Sequence, residues 1–246
     1  MNDNKPKNVI VLTTGLSGSS VLSGVISESG YWAGNETVIK DNSSGQYNTY
    51  ENVELVELND RLCDKADFLF DDIAWYKTNG QQVFEEILET TEAASFREFL
   101  SSCKSHQPWI WKDPKVWLTI GFWKNFIDPK STRIILLRRN GFNLWLSQVV
   151  KRIIYDYFYL DRAEKKARAE LKKYLNENNL EFIQVEFESL VSDTELELEK
   201  INQFLGSDIK LEHWDKVHQN PKFLSGTKRL FIGLLVYLKN YQTRIH

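Results

Sequence analysis

Apolar residues along the chain fall into two patterns. Val9 to Thr13, Trp109 to Trp111, Ile134 to Leu137 and Phe182 to Val185 are short apolar runs, mostly β-branched or aromatic, without polar alternation. That pattern predicts strands buried on both faces of a parallel sheet. Between them, apolar residues recur at helical spacing: Val21, Leu22, Val25 and Ile26, then Val53, Val56, Leu58 and Leu62, and later Asn140 to Arg152 and roughly Leu160 to Glu177. The stretch from Ile73 to Cys103 also reads as helical, with a turn near Asn79-Gly80. From Asp193 to Leu205 a further helix is predicted, with Asp193 as its cap, Leu196, Ile201, Phe204 and Leu205 inward, and Gly206 as its stop. Residues 35–50, NETVIKDNSSGQYNTY, are polar and read as a long loop over the strand ends. The alternation of strands and helices predicts an α/β chain with a parallel, helix-covered sheet, one face of it covered by the helices of residues 51–103.

The first strand leads into chemistry. After Thr13 the pattern breaks into Gly15, Leu16, Ser17, Gly18, Ser19 and Ser20, and then a helix begins. Strand, small-residue loop and helix make an anion site: backbone N–H groups approach a phosphate closely, and the positive end of the helix faces it. The alternative is a buried strand followed by a serine-capped helix. Both Trp109–Trp111 and Ile134–Leu137 end in charge, at Lys112-Asp113 and Arg138-Arg139. That edge of an open α/β sheet is where ligands bind.

Composition narrows the setting. A chain of 246 residues, 42% hydrophobic, fits a single domain over 1–246. A net charge of −3 gives no global field for nucleic acid, so none is expected as a partner. Two cysteines, Cys63 and Cys103, have no metal-ligand spacing and favour a reducing compartment. A polar start without a signal pattern and no apolar run of membrane length lead to the expectation of a cytoplasmic protein.

Four stretches, in order, resemble sulfotransferases that use 3′-phosphoadenosine 5′-phosphosulfate, most closely the bacterial branch with a KDPR-like segment. Ser17 to Ser20 resembles the 5′-phosphosulfate loop, and Trp111 to Trp123, WKDPKVWLTIGFW, the central KDPR block. Arg133 to Ser147 resembles the segment whose Arg and Ser, eight apart, grip the 3′-phosphate, and Val185 to Gly206 the YEDL stretch with its helix. The resemblance implies a P-loop-like three-layer fold, with a central parallel sheet covered by helices on both faces. It also implies sulfuryl transfer to a hydroxyl or amine of a small-molecule or glycan acceptor, without a metal.

Carried over residue by residue, it makes Gly15, Leu16, Ser17, Gly18, Ser19 and Ser20 the phosphosulfate loop and assigns Arg139 and Ser147 to the 3′-phosphate. Arg139 and Ser147 span about 12 Å if the whole stretch is regular helix, so they share one phosphate only if its start is not. The family turns there at a proline, where this chain has Gly141. Phe187 stands for the tyrosine beside the adenine, with a core aromatic as the alternative. Lys112 matches the lysine facing the bridging oxygen of the donor, with a solvated lysine as the alternative.

The departures are specific. Leu16 stands where the family carries Lys or Arg. One charge-assisted hydrogen bond is worth about 1.5–3 kcal/mol, so its loss costs roughly ten- to a hundredfold in rate, unless Lys112 supplies the charge. Pro114 stands where some members place a catalytic histidine; Glu51, in a stretch resembling a GYFE-like segment, is the candidate base, with Asp113 and Glu36 behind it. Tyr47, Tyr50, Trp75, Tyr76, Tyr155, Tyr157 and Tyr159 offer flat faces for an acceptor, while most of the eight tryptophans are expected in the core. After Asp215 there is no acidic residue but Lys216, Lys222, Lys228, Arg229, Lys239 and Arg244. That tail suits a phosphorylated ligand, weak peripheral contact with an anionic membrane, or a packed helix with a solvated basic face. Two other functions fit less of the chain: a non-catalytic nucleotide or glycan binder, and a P-loop kinase, for which GLSGSS lacks the phosphate-binding lysine.

Overall fold

The computed structural model describes residues 5–14, 16–42, 45–65, 85–86, 93–151, 156–218 and 226–239. Gly15, the Asn79-Gly80 turn, Trp75, Tyr76, Tyr155, Lys222 and Arg244 lie outside them.

Strand β1 (Asn8–Leu12) is buried along its whole length, which explains its lack of alternation. Val9 and Val11 pack into one core with α1 (Ser19–Glu28), α8 (Thr194–Leu205) and α9 (Leu211–Val217). Ile10 and Leu12 pack into a second core on the opposite face with α2 (Val53–Lys65), α3 (Ala93–Ser105), α4 (Val116–Trp123) and α6 (Tyr157–Glu177). Successive strand residues point to opposite faces, so a strand with a core on each side has no polar position to spend. The sheet runs β4-β1-β5-β6, all parallel, with β4 (Ile110–Lys112), β5 (Thr132–Arg138) and β6 (Phe182–Glu186). Its helices lie on both faces, as the α/β reading predicts, and α2 and α3 cover one of them. Among the described tryptophans, Trp109, Trp111, Trp117, Trp123 and Trp214 are buried.

The sheet order makes β1 a switch point: the chain leaves β4 on one side of it and re-enters through β5 on the other. The crevice outside the carboxyl ends of these strands is therefore bounded by the segments that leave β1, β4 and β5.

Three expectations need correction. Residues 35–50 are not a loop: β2 (Thr37–Asn42) and β3 (Gly45–Asn52) form an antiparallel hairpin. This ribbon stands outside the main sheet and is largely exposed up to Asn48, so polar residues occupy both of its faces and no alternation marks it. Leu196 is not inward but 53% exposed; Leu198, Ile201 and Leu205 form the buried stripe, and Leu196 lies about 200° round the helix from Leu198. Asp193 does sit at the start of α8, but its carboxylate makes no cap bond and instead accepts from the Ser192 hydroxyl at 2.8 Å. Gly206, at φ 64°, ends the helix as expected.

Candidate active site

The loop after β1 enters α1 through Gly18, whose φ of 83° lies in the left-handed region. A methyl group there would also overlap the ring of Phe187, so both backbone and space require glycine. Ser17 is buried, its Oγ 2.5 Å from Thr13 Oγ1, and Ser19 is buried in the first turn of α1. Leu16 and Ser20 are partly exposed.

Two cations reach this loop from the strands that flank β1. On one side, Lys112 ends β4 in register with Val11, so its side chain projects to the face that carries α1. It is 2% exposed, donates to Ser20 Oγ at 3.4 Å and is ion-paired with Glu51 Oε1. On the other side, Arg139 follows β5; its Nη1 donates to the Leu16 carbonyl at 3.2 Å and to Ser147 Oγ at 3.3 Å. The geometry expected to strain this meeting resolves just before helix α5 (Gly141–Val150). Asn140, at φ −52° and ψ 134°, is extended and its side chain caps α5 from Phe142 N–H, so the break falls at Asn140 rather than Gly141. The helix is then regular, and the long arginine reaches along it to Ser147, which also donates to Asn143 C=O at 2.8 Å.

Phe187 opens α7 (Phe187–Ser192) at 7% exposure, against Gly18 and 5.6 Å from Arg139 Cζ. It is a core member under the arginine, not an open face. Beside it Glu188, which sequence reasoning passed over in favour of its neighbour, ties down the start of α5. It accepts from Asn140 N–H at 2.9 Å and Asn143 Nδ2 at 2.8 Å, and lies 3.8 Å from Arg139 Nε.

Glu51 lies at the end of β3 and is 3% exposed, with Lys40 of β2 held to its Oε2 at 2.9 Å and Lys112 on its Oε1. Burial alone would push this carboxyl up, but Lys112, by charge and hydrogen bond, and Lys40 hold it below the usual glutamate range. The Lys112 ammonium is pulled down by burial, against the opposing pull of Glu51. Lys40 was invisible to sequence reasoning because its hairpin reads as loop; only the pairing of β2 with β3 brings it opposite Tyr47 and near Glu51.

Asp113, one residue beyond Lys112, faces the other core. Its Oδ2 accepts from Asn59 Nδ2 at 2.6 Å and its Oδ1 from Lys115 N–H at 3.2 Å, while Asn59 Oδ1 accepts from Thr119 and Trp123, each at 2.7 Å. These bonds join α2 to α4, a structural task on the face of the sheet opposite α1. Burial pushes its carboxyl up to about 6, against the opposing hydrogen bonds from Asn59 and Lys115. The folded state therefore binds a proton more tightly than the unfolded chain, and this group's contribution to stability is lost as pH rises from about 4 to 6. Asp113→Asn should remove that dependence. Between pH 4 and pH 7, the variant's unfolding free energy should shift relative to that of the unsubstituted chain by on the order of 2–3 kcal/mol in the variant's favour, as read by urea titration at each pH. Glu51 acts with opposite sign, but it is common to both proteins and cancels in the comparison. Cys63 and Cys103 are free thiols pushed up to about 12, mainly by burial, which removes them as nucleophiles.

No family model matches this sequence, and no curated protein matches it. Among solved structures, the chain is similar to the sulfotransferase domain from the curacin biosynthetic pathway, at 14% identity over 91% of this chain and 82% of that one, with a TM-score of 0.52. It is also similar to the sulfotransferase domain from the Synechococcus PCC 7002 olefin synthase, at 15% identity over 98% and 97%, with a TM-score of 0.50. The chain thus has the α/β, P-loop-like fold seen in sulfotransferase domains, and its two candidate cations flank the loop that follows the first strand of that fold.

Proposed function

We propose that this chain moves a sulfuryl group from 3′-phosphoadenosine 5′-phosphosulfate to a hydroxyl or amine of a small-molecule or glycan acceptor. One observation carries the reading: Arg139 and Lys112, from strands on either side of β1, both bond to the loop of residues 16–20. A donor with phosphate at two places needs two cationic sites next to one amide-lined loop. The first turn of α1 adds N–H donors and the positive helix end.

In this reading Glu51 accepts the proton of the acceptor hydroxyl as its oxygen bonds to sulfur. The bond from sulfur to the bridging oxygen breaks, and its electron pair stays on the phosphate of adenosine 3′,5′-bisphosphate. Lys112 and Lys40 keep Glu51 ionised, the form a base requires. Once Glu51 is protonated it no longer neutralises Lys112, whose charge then offsets what develops on the leaving oxygen. Lys112 so takes the place of the cation that Leu16 cannot provide.

A second reading, a non-catalytic binder, draws on Leu16 and on Lys112 being already paired with Glu51. Calorimetry and turnover together separate the possibilities. Adenosine 3′,5′-bisphosphate is expected to bind and ATP not to. Labelled donor is expected to pass its sulfuryl group to at least one member of an acceptor panel. Tight bisphosphate binding without transfer would favour the binder, and preference for ATP would overturn both.

A further inference from the structure

Helix α10 (Gly226–Lys239) packs on α5: Gly233 lies directly against Leu146, and Tyr237 sits 6.0 Å from Trp145. Its outer side, among the described side chains, is apolar. Leu230, Phe231, Leu234, Leu235 and Leu238 are each between 47 and 62% exposed. At 100° per residue they fall within an arc of about 140°, with Gly233 and Tyr237 outside it. Monomeric soluble surfaces rarely gather so many large apolar side chains in one patch.

The patch does not stop at the helix. Through Tyr237 and Trp145 it continues into Phe142 and Tyr157, and from Tyr157 to Phe158, which is 73% exposed. Aromatic rings at the edge of an apolar helix face are the composition of an interfacial element. The sequence that carries this helix has charge of one sign. From Lys216 to His246 the sequence has six Lys and Arg residues and no Asp or Glu, although the whole chain is net negative at −3. Among the described residues no helix is long and apolar enough to cross a membrane, so a lipid contact here lies on the surface.

The geometry points to α10 as a peripheral docking face for an anionic lipid bilayer, with its leucines and Phe231 entering the headgroup boundary and the net positive charge of the segment supplying the attraction to lipid phosphates. A protein groove would accept the same apolar stripe, but it gives no reason for a 31-residue stretch cleared of acids within an acidic protein. Attraction to anionic lipid does.

Sedimentation of the full chain with vesicles tests this. It is expected to pellet with phosphatidylcholine vesicles containing 30% phosphatidylglycerol and to remain largely in solution with phosphatidylcholine alone, and 0.5 M NaCl should weaken the binding. Leu234→Ser with Leu235→Ser should reduce partitioning at least tenfold while leaving the urea midpoint in place, since both side chains are outside the core. Equal binding by this variant, or no binding to anionic vesicles, overturns the proposal. So does a dimer in sedimentation velocity that the same variant dissociates, because a second copy would then be what covers the face.

Discussion

Glu51→Leu is expected to destabilise the protein by about 3–5 kcal/mol in urea unfolding, because it strands a buried ammonium. Among the described residues Lys112 touches Glu51 and Ser20, and only the carboxylate offsets its charge at contact distance. Lys112→Met should cost less. Glu51 would still hold Lys40, whose side chain is nearly half exposed and brings water with it. The double variant should recover most of the loss, since apolar side chains of similar volume replace a buried pair at little net cost. Turnover should not recover, because base and leaving-group cation are then both gone. Under the proposed transfer the pair serves chemistry at the expense of packing, and recovered stability with unrecovered activity is the signature expected of it. Should both single variants unfold within about 1 kcal/mol of the original, water reaches the pair and its electrostatic role falls with it.

Both members of this pair are candidates from the sequence, but their contact is not legible there. Lys112 stood out because a charge ending an apolar run sits at the ligand edge of a parallel sheet, and β4 places it there in register with Val11. Glu51 was named from a resemblance, but nothing local in the chain says that it is buried. Its burial comes from a contact across 61 residues and from a hairpin whose polar residues look like loop. Asp113 was drawn towards the chemistry by adjacency, yet neighbouring residues at the end of a strand face opposite sides, and it joined Asn59 instead. The strands of the parallel sheet, unlike β2 and β3, are plain in the sequence, because a strand with a core on each face reads as an unbroken apolar run.

Arg139→Ala is expected to weaken adenosine 3′,5′-bisphosphate binding ten- to a hundredfold by calorimetry, the worth of one or two charge-assisted hydrogen bonds. Arg139→Lys separates charge from shape. One guanidinium nitrogen already bridges the Leu16 carbonyl and the Ser147 hydroxyl beside the Phe187 ring, and an ammonium has only one nitrogen to share among these two and a phosphate. The lysine variant should therefore recover only a minor part of the loss, mostly at low salt, where a point charge is least screened. Ser147→Ala should be milder, because that hydroxyl also spends its proton on the Asn143 carbonyl. Glu188→Gln should act in the opposite direction. Its carboxylate accepts from the Asn140 N–H and the Asn143 side-chain amide and stands 3.8 Å from Arg139 Nε, where it competes with any phosphate for the guanidinium. Removing its charge should tighten the bisphosphate severalfold and steepen the salt dependence. If Arg139→Ala and the unsubstituted chain bind alike, the guanidinium only braces the loop against α5, and the second anion site lies elsewhere.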